Sequence, residues 1–144
     1  MNATHIRAAP PVDAAVSLLE SSELPAADLT AAHMKHFFYA GSSDRPQGLV
    51  GIEIHGADAL LRSLVVAPGM RATGLGTALV RRAESHARAQ GVRGMYLLTT
   101  TAELFFARRG YARRGRAEAP AGIRATREFA DICPASSIFM FKSL

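Results

Sequence analysis

Cysteine occurs once, at Cys133, so the chain cannot form an internal disulfide. A reducing cytosol is the default compartment for such a composition, and a cytoplasmic location is expected. No apolar run approaches the roughly 20 residues a membrane helix needs, so no membrane partner is expected. The first residues, Met1-Asn2-Ala3-Thr4-His5-Ile6-Arg7, lack the apolar stretch of a secretory signal. Metal ligands are sparse as well. His33 and His36 stand three apart without a cysteine or carboxylate cluster, and no metal site is expected.

What the chain does hold is positive charge, unevenly placed. The net charge is +5, and residues 71–127 carry 12 of the 17 basic side chains but 3 of the 12 acids. A basic half suits an anionic partner. Nucleic acid is not expected, because no aromatic-rich basic strand or recognition-helix pattern accompanies the charge. Arg81, Arg82 and Arg88 fit the outer face of a helix. At 144 residues, 49% of them hydrophobic, the chain suits a single domain, residues 1–144, with a core of ordinary size.

The basic region opens on one segment. The β-branched run Leu64-Val65-Val66-Ala67 stops at Pro68, and Arg71-Ala72-Thr73-Gly74-Leu75-Gly76-Thr77 leads into an amphipathic helix. Gly74 and Gly76 let backbone approach a ligand with no Cβ in the way. The open N–H groups of the first helical turn face the same spot, at the positive end of the helix dipole. This is the pattern of a pyrophosphate cradle. A Walker loop would need Lys after Gly76, where Thr77 stands. A Rossmann fingerprint would need an acid about 20 residues on, and Gly91-Val92-Arg93-Gly94 offers none. A plain strand-to-helix turn is the bland alternative.

Hydrophobic periodicity supplies the rest. Strands are expected at Thr4–Ala8, His36–Ala40, Leu49–His55, Ala59–Ala67, Met95–Thr99, from Tyr111, and at Ser136–Lys142. Helices are expected at Pro10–Ser22, Ala26–Ala32, Gly74–Gln90, Ala102–Arg109 and Pro120–Ile132. Glu84 and Arg88 can pair at i, i+4 on the outer face of the long helix. A mixed sheet of about seven strands with helices on both faces fits this order, an α/β (α+β) architecture.

The strand, the V-x-P, the R-x-x-G-x-G and the helix resemble the acyl-CoA loop of the GNAT N-acetyltransferases. Thr99-Thr100-Thr101-Ala102-Glu103-Leu104-Phe105-Phe106-Ala107-Arg108-Arg109-Gly110-Tyr111 resembles the second signature of that superfamily. More narrowly, it resembles the amino-acid acetyltransferases, including the N-acetylglutamate synthase type. The tail from Pro120 to Phe129, with Cys133-Pro134-Ala135-Ser136-Ser137, resembles arsenic-resistance-associated N-acetyltransferases of glutamate-like arsenicals such as arsinothricin.

The resemblance implies a mostly antiparallel sheet and acetyl-CoA as co-substrate. It implies CoA contacts from Leu64, Val65, Val66, Arg71, Ala72, Thr73, Gly74, Leu75, Gly76, Thr77, Thr99, Phe105 and Phe106. A backbone N–H near Val65 is the expected oxyanion donor. Where many members carry a Tyr to protonate the thiolate, Phe106 stands. Thr99 replaces a common Asn, and Leu60 a common Glu. An α-amine needs little help near its reference pKa of about 7.7–8.0. Glu53, the lone acid in Leu49–Ile54, is the candidate base acting through water. Arg62 should share a face with Leu60 and Leu64 and grip a substrate carboxylate, with or without a salt bridge to Glu53. Ser63 and Thr100 are further substrate candidates. Cys133 fits a small buried residue rather than an acyl carrier. The partner is then a small-molecule amine. Homodimers are common in the superfamily, and one is possible here. A protein lysine or N-terminal acetyltransferase and a CoA-binding sensor without turnover are the rivals.

Overall fold

The computed structural model describes residues 5–144, so Thr4 of the expected first strand lies outside the described residues, as do Met1, Asn2 and Ala3 of the segment read for a signal. Seven strands follow the expected order: β1 (Ile6–Ala8), β2 (Phe37–Gly41), β3 (Pro46–His55), β4 (Asp58–Val66), β5 (Gly94–Thr99), β6 (Ala112–Arg113) and β7 (Ile138–Ser143). They form one sheet in the order β1-β2-β3-β4-β5-β7-β6. Every pairing is antiparallel except β4 with β5. A parallel pair needs a long crossover, and the helix α2 (Leu75–Ala89) supplies it.

Helices cover both faces. Leu75, Leu79, Val80, Ala83 and Ala87 of α2 bury against Val50, Ile52, Leu61 and Leu97. On the opposite face α1 (Val12–Ser21) sets Ala15 and Leu19 over Phe37, Leu49 and Val65. A short helix α3 (Glu103–Ala107) follows β5, and α4 (Ala121–Arg124) buries Ile123 against Leu60, Tyr96 and Phe139. Among the described residues no helix is long and apolar enough to cross a membrane.

Three expectations are corrected. The helix at Ala26–Ala32 is instead a 3-10 turn at Ala31–His36, because Thr30 takes the cap position and exchanges hydrogen bonds with His33. The helix at Pro120–Ile132 is split into α4 and a π-helical turn at Glu128–Ile132. Thr126 causes the break: its hydroxyl donates to the Ile123 carbonyl (2.7 Å) and accepts from the Phe129 N–H (3.3 Å), competing with the helix ladder. Glu84 does not face solvent with Arg88. It is 4% exposed and accepts from the Tyr111 hydroxyl (2.9 Å) and Lys142 (3.0 Å), which ties α2 to β7.

Strand β4 contains the feature that shapes the site. Leu49 pairs with Val65 and Gly51 with Arg62, which leaves one extra residue on β4. Ser63 takes it up at φ +61°, a left-handed conformation that few side chains adopt. The bulge reverses the alternation. Leu60, Arg62 and Val65 face the α1–α4 side, whereas Leu61, Leu64 and Val66 pack towards α2. Arg62 therefore shares its face with Val65, not with Leu64.

Gly51 allows β2 and β3 to meet. A Cβ there would lie 2.3 Å from the ring of Phe37, which is fully buried. Gly51→Ala is expected to cost about 1–3 kcal/mol by overpacking. An unchanged urea midpoint would show that the ring can move aside.

Candidate active site

The β4–β5 register ends at Leu60 with Tyr96, while β5 stays paired with β7 as far as Thr99 with Ile138. Beyond Leu60 the two parallel strands diverge. A cavity of about 650 Å³ fills the gap, lined by Arg62–Val66, Thr99–Ala102 and Phe106, with Glu128, Cys133 and Ser137 at its far wall. A second cavity of about 590 Å³ shares Leu64, Val65, Val66 and Arg71 and reaches Gly76 and Phe105.

Ladder geometry decides which backbone groups face the gap. Ala67 donates to Gln47 across the β3–β4 ladder (2.8 Å). Residues of an antiparallel strand alternate between facing the partner and facing away. Val65 N–H is thereby turned to β3, and Val66 presents its N–H and C=O to the gap. Arg71 Nε donates to that Val66 carbonyl (3.2 Å). The gap-facing N–H nearest the position expected at Val65 is thus that of Val66.

At the α2 end the chain turns through Ala72 (φ +63°) and Gly74 (φ +86°). A Cβ on Gly74 would meet nothing within 4 Å, so the loop is open to an approaching group. Ala78 makes the first helical bond, to the Gly74 carbonyl (3.0 Å), and no side chain caps the helix. The N–H groups of Leu75, Gly76 and Thr77 therefore lie open at the positive helix end. The Leu75 side chain itself is in the core. The Thr73 hydroxyl donates to Met70 (2.5 Å), which spends its proton, whereas the Thr77 hydroxyl accepts from Arg109 Nε (3.1 Å) and keeps its own proton to donate. Arg109, unforeseen in the sequence, also donates to the Phe105 carbonyl (2.7 Å) and stacks on the Phe105 ring. It adds charge beside the helix end and locks α3 against α2. Open N–H groups, two arginines and a glycine turn fit a diphosphate.

The other end of the gap has the opposite sign. Arg62, 2% exposed, makes four hydrogen bonds and one longer ion contact. Nη1 donates to Asp28 (2.6 Å) and Glu53 (2.7 Å), Nη2 to Asp28 (2.9 Å), and Nε to the Ser63 hydroxyl (3.0 Å). Nη2 also pairs with Glu128 (3.3 Å). The expected bond to Glu53 is present, and the guanidinium is turned to its own protein's carboxylates rather than left free for a substrate's. Glu53 does not line either cavity; Arg62 stands between it and the gap. Asp28, His33 and Glu53 bring one donor atom each within 4.8 Å of one another, yet Arg62 already supplies the positive charge between the two carboxylates.

The carboxyls respond differently. Burial pushes Asp28 up, but the hydrogen bonds and charge of Arg62 outweigh it, and its pKa lies below the usual value. Burial pushes Glu128 up to about 7, against the pull of Arg62 and with help from the Asp28 and Glu53 charges. Burial, then Glu128, pushes the Cys133 thiol up to about 12, so it is protonated at neutral pH and poorly suited to carry an acyl group. Asp28 and Glu128 were not singled out from the sequence. The one signal for Glu128 was an acid beside an apolar helical stretch.

The remaining expected residues divide. Thr100 lines both cavities and Ser63 the first. Thr99 lines the first, while its hydroxyl accepts the Ala102 N–H (3.0 Å). Phe106 walls the gap edge-on to Phe105 and Tyr111. Ser137, also missed, has a buried hydroxyl with no partner.

Residues 7–115 match the family model described as the acetyltransferase (GNAT) family. Among solved structures, N-acetylglutamate synthase from Neisseria gonorrhoeae, complexed with coenzyme A and N-acetyl-glutamate, aligns with a TM-score of 0.82 at 19% identity. The alignment covers 100% of this chain and 36% of that one. The chain spans about a third of the length of the two Neisseria structures it matches. Rv2747 from Mycobacterium tuberculosis, in complex with CoA, aligns with a TM-score of 0.77 at 22% identity over 97% of this chain and 99% of that one. An acetyltransferase of the GNAT family from Staphylococcus aureus aligns with a TM-score of 0.75 at 16% identity over 99% of both chains. These likenesses are of fold. A comparison with curated proteins found no match.

Removing Arg62 strands three carboxylates. Arg62→Ala is expected to lose about 3–5 kcal/mol of stability, read from urea unfolding. Adding Glu128→Gln to that variant should restore part of the loss, since one stranded charge goes with it. Wild-type stability in the single variant would show that the cluster is not buried.

Proposed function

The chain belongs to the acetyltransferase (GNAT) family, and we propose that it is an acetyl-CoA-dependent N-acetyltransferase whose acceptor is the amine of a small amino acid or amino-acid-like molecule. One observation carries the reading: a single gap joins an anion-binding helix end to a buried acidic cluster. The first suits the diphosphate of a CoA thioester and the second an ammonium group.

In this reading the N–H groups of Leu75, Gly76 and Thr77, with Arg71 and the turn at Ala72–Gly74, hold the diphosphate. The gap side of Leu64–Val66, where Arg71 already holds the Val66 carbonyl, borders the pantetheine. Phe105, Phe106 and Thr99 wall the acyl end. The Val66 N–H donates to the carbonyl oxygen where negative charge develops. The amine attacks directly within a ternary complex, and holding both reactants in register can supply on the order of 7 kcal/mol or more. Phe106 has no proton to give, so the departing sulfur takes its proton from the amine nitrogen or from water.

The acids are enclosed, with Arg62 and Glu128 buried, rather than strung along an open groove. That favours a small amine over a protein side chain. A substrate carboxylate meets hydroxyl donors: Ser63, whose oxygen already accepts from Arg62, then Thr100 and Ser137. The N-acetyl-glutamate held by the Neisseria synthase supports an amino-acid acceptor. A glutamate-like arsenical is the narrowest form of this reading, and it rests on the resemblance of the tail.

Thiol release from acetyl-CoA, followed with free amino acids, glutamate-like arsenicals and phosphinates, and lysine peptides, is expected with a free amino acid or analogue and not with peptides. Silence with every free amino acid and analogue overturns the proposal. A Cβ on Gly76 would lie 3.3 Å from the Phe105 ring. Gly76→Leu is expected to weaken CoA binding about 10- to 100-fold, the equivalent of an overpacking cost of about 1–3 kcal/mol. Unchanged affinity by calorimetry would remove the helix end from the site.

A further inference from the structure

We propose that Glu128 is the proton acceptor for the substrate ammonium. This rests on the reading that amine and thioester meet in the β4–β5 gap. Glu23 also borders the first cavity, but at its exposed rim; Glu128 is 5% exposed and lies on the inner wall beside Cys133 and Ser137. The π-helical turn that begins at Glu128 puts it there, while Phe129 packs against Phe139 and under Arg116. Such turns often mark functional positions.

The charge count around Glu128 leaves room for a cation. From β4 it faces Arg62, from the segment after α1 Asp28, and from β3 Glu53. Its own element adds the protonated Cys133, and Arg116 lies beyond, spent on the Ser137 and Phe129 carbonyls. One guanidinium thus serves three carboxylates. Asp28 and Glu53 hold it at 2.6–2.9 Å, and Glu128 at 3.3 Å. Glu128 is the carboxylate held least tightly, and an ammonium entering the gap completes its pairing. Its pKa of about 7 leaves it about half ionised at neutral pH, able both to take a proton and to release it. The unpartnered Ser137 hydroxyl on the same wall can hold the nitrogen in line.

The protons balance. One passes from the ammonium to Glu128 and on to water. The freed lone pair forms the N–C bond as the C–S bond breaks. A second proton leaves the nitrogen and ends on the departing sulfur. The products are an amide, a thiol and one released proton.

Wild-type turnover with the best amine tests the underlying reading; the pH profile of Glu128→Gln tests Glu128. In the wild type, kcat/KM should rise through an apparent pKa near 7 before the amine's own ionisation. In Glu128→Gln that limb should vanish and kcat should fall about 100-fold or more at pH 7. The KM for acetyl-CoA should stay unchanged, and the rate should recover towards wild type at pH values where the amine is already neutral. Glu128→Asp should regain part of the rate. In the free protein, labelled-carboxyl NMR should show a glutamate titrating near neutrality that is missing from Glu128→Gln. A wild type that turns over while Glu128→Gln keeps the limb overturns the proposal. So does an equal loss at every pH, or the absence of a near-neutral glutamate.

Discussion

The guanidinium of Arg62 is the contact on which this molecule's arrangement depends. It draws together the segment after α1, strand β3, strand β4 and the turn before β7, through Asp28, Glu53, Ser63 and Glu128. Buried ion pairs add little net stability, because desolvation opposes them. Their leverage is that each alternative packing strands a charge. Arg62 thereby holds the open side of the sheet, where strand pairing has ended, to one geometry. Around that centre the gap is asymmetric: Arg71 and the open end of α2 border one side, and the Arg62 cluster, through Glu128, borders the other.

Much of the fold was legible in the sequence, because seven strands and a long helix leave periodic apolar traces. Leu75, Leu79, Ala83 and Ala87 repeat at helical spacing, and the β4–β5 crossover follows from the chain order. The glycine turn was legible for the same local reason: Gly74 and the helix it opens are neighbours in sequence. Elements governed by side-chain competition were not. Thr126 splits a helix whose apolar pattern runs straight through it, and Thr30 moves the element expected at Ala26–Ala32.

The site was half legible for a related reason. The glycine-turn end is built from consecutive residues. The end around Arg62 is assembled over long separations: Asp28 lies 34 residues from Arg62, and no local pattern joins them. Glu53 and Arg62 were paired in the reading because adjacent strands put them together, but two further acids on the same guanidinium changed what it can do. An arginine expected to bind substrate is engaged by its own protein's carboxylates, and Glu128, an acid not singled out from the sequence, lies on the cavity wall.

The bulge at Ser63 bears on how this strand can change. It joins two half-strands of opposite phase, the first written for one side of the sheet and the second for the other. Straightening the strand with Ser63 kept would exchange the sides of Leu64, Val65 and Val66 relative to Arg62 and turn the Val65 amide, not that of Val66, to the gap. Deleting Ser63 itself would leave all three on the sides they now hold, since the residue removed is the one the bulge adds. The aim of the second half-strand is therefore carried by one backbone conformation, at Ser63, rather than by the identity of any side chain in it.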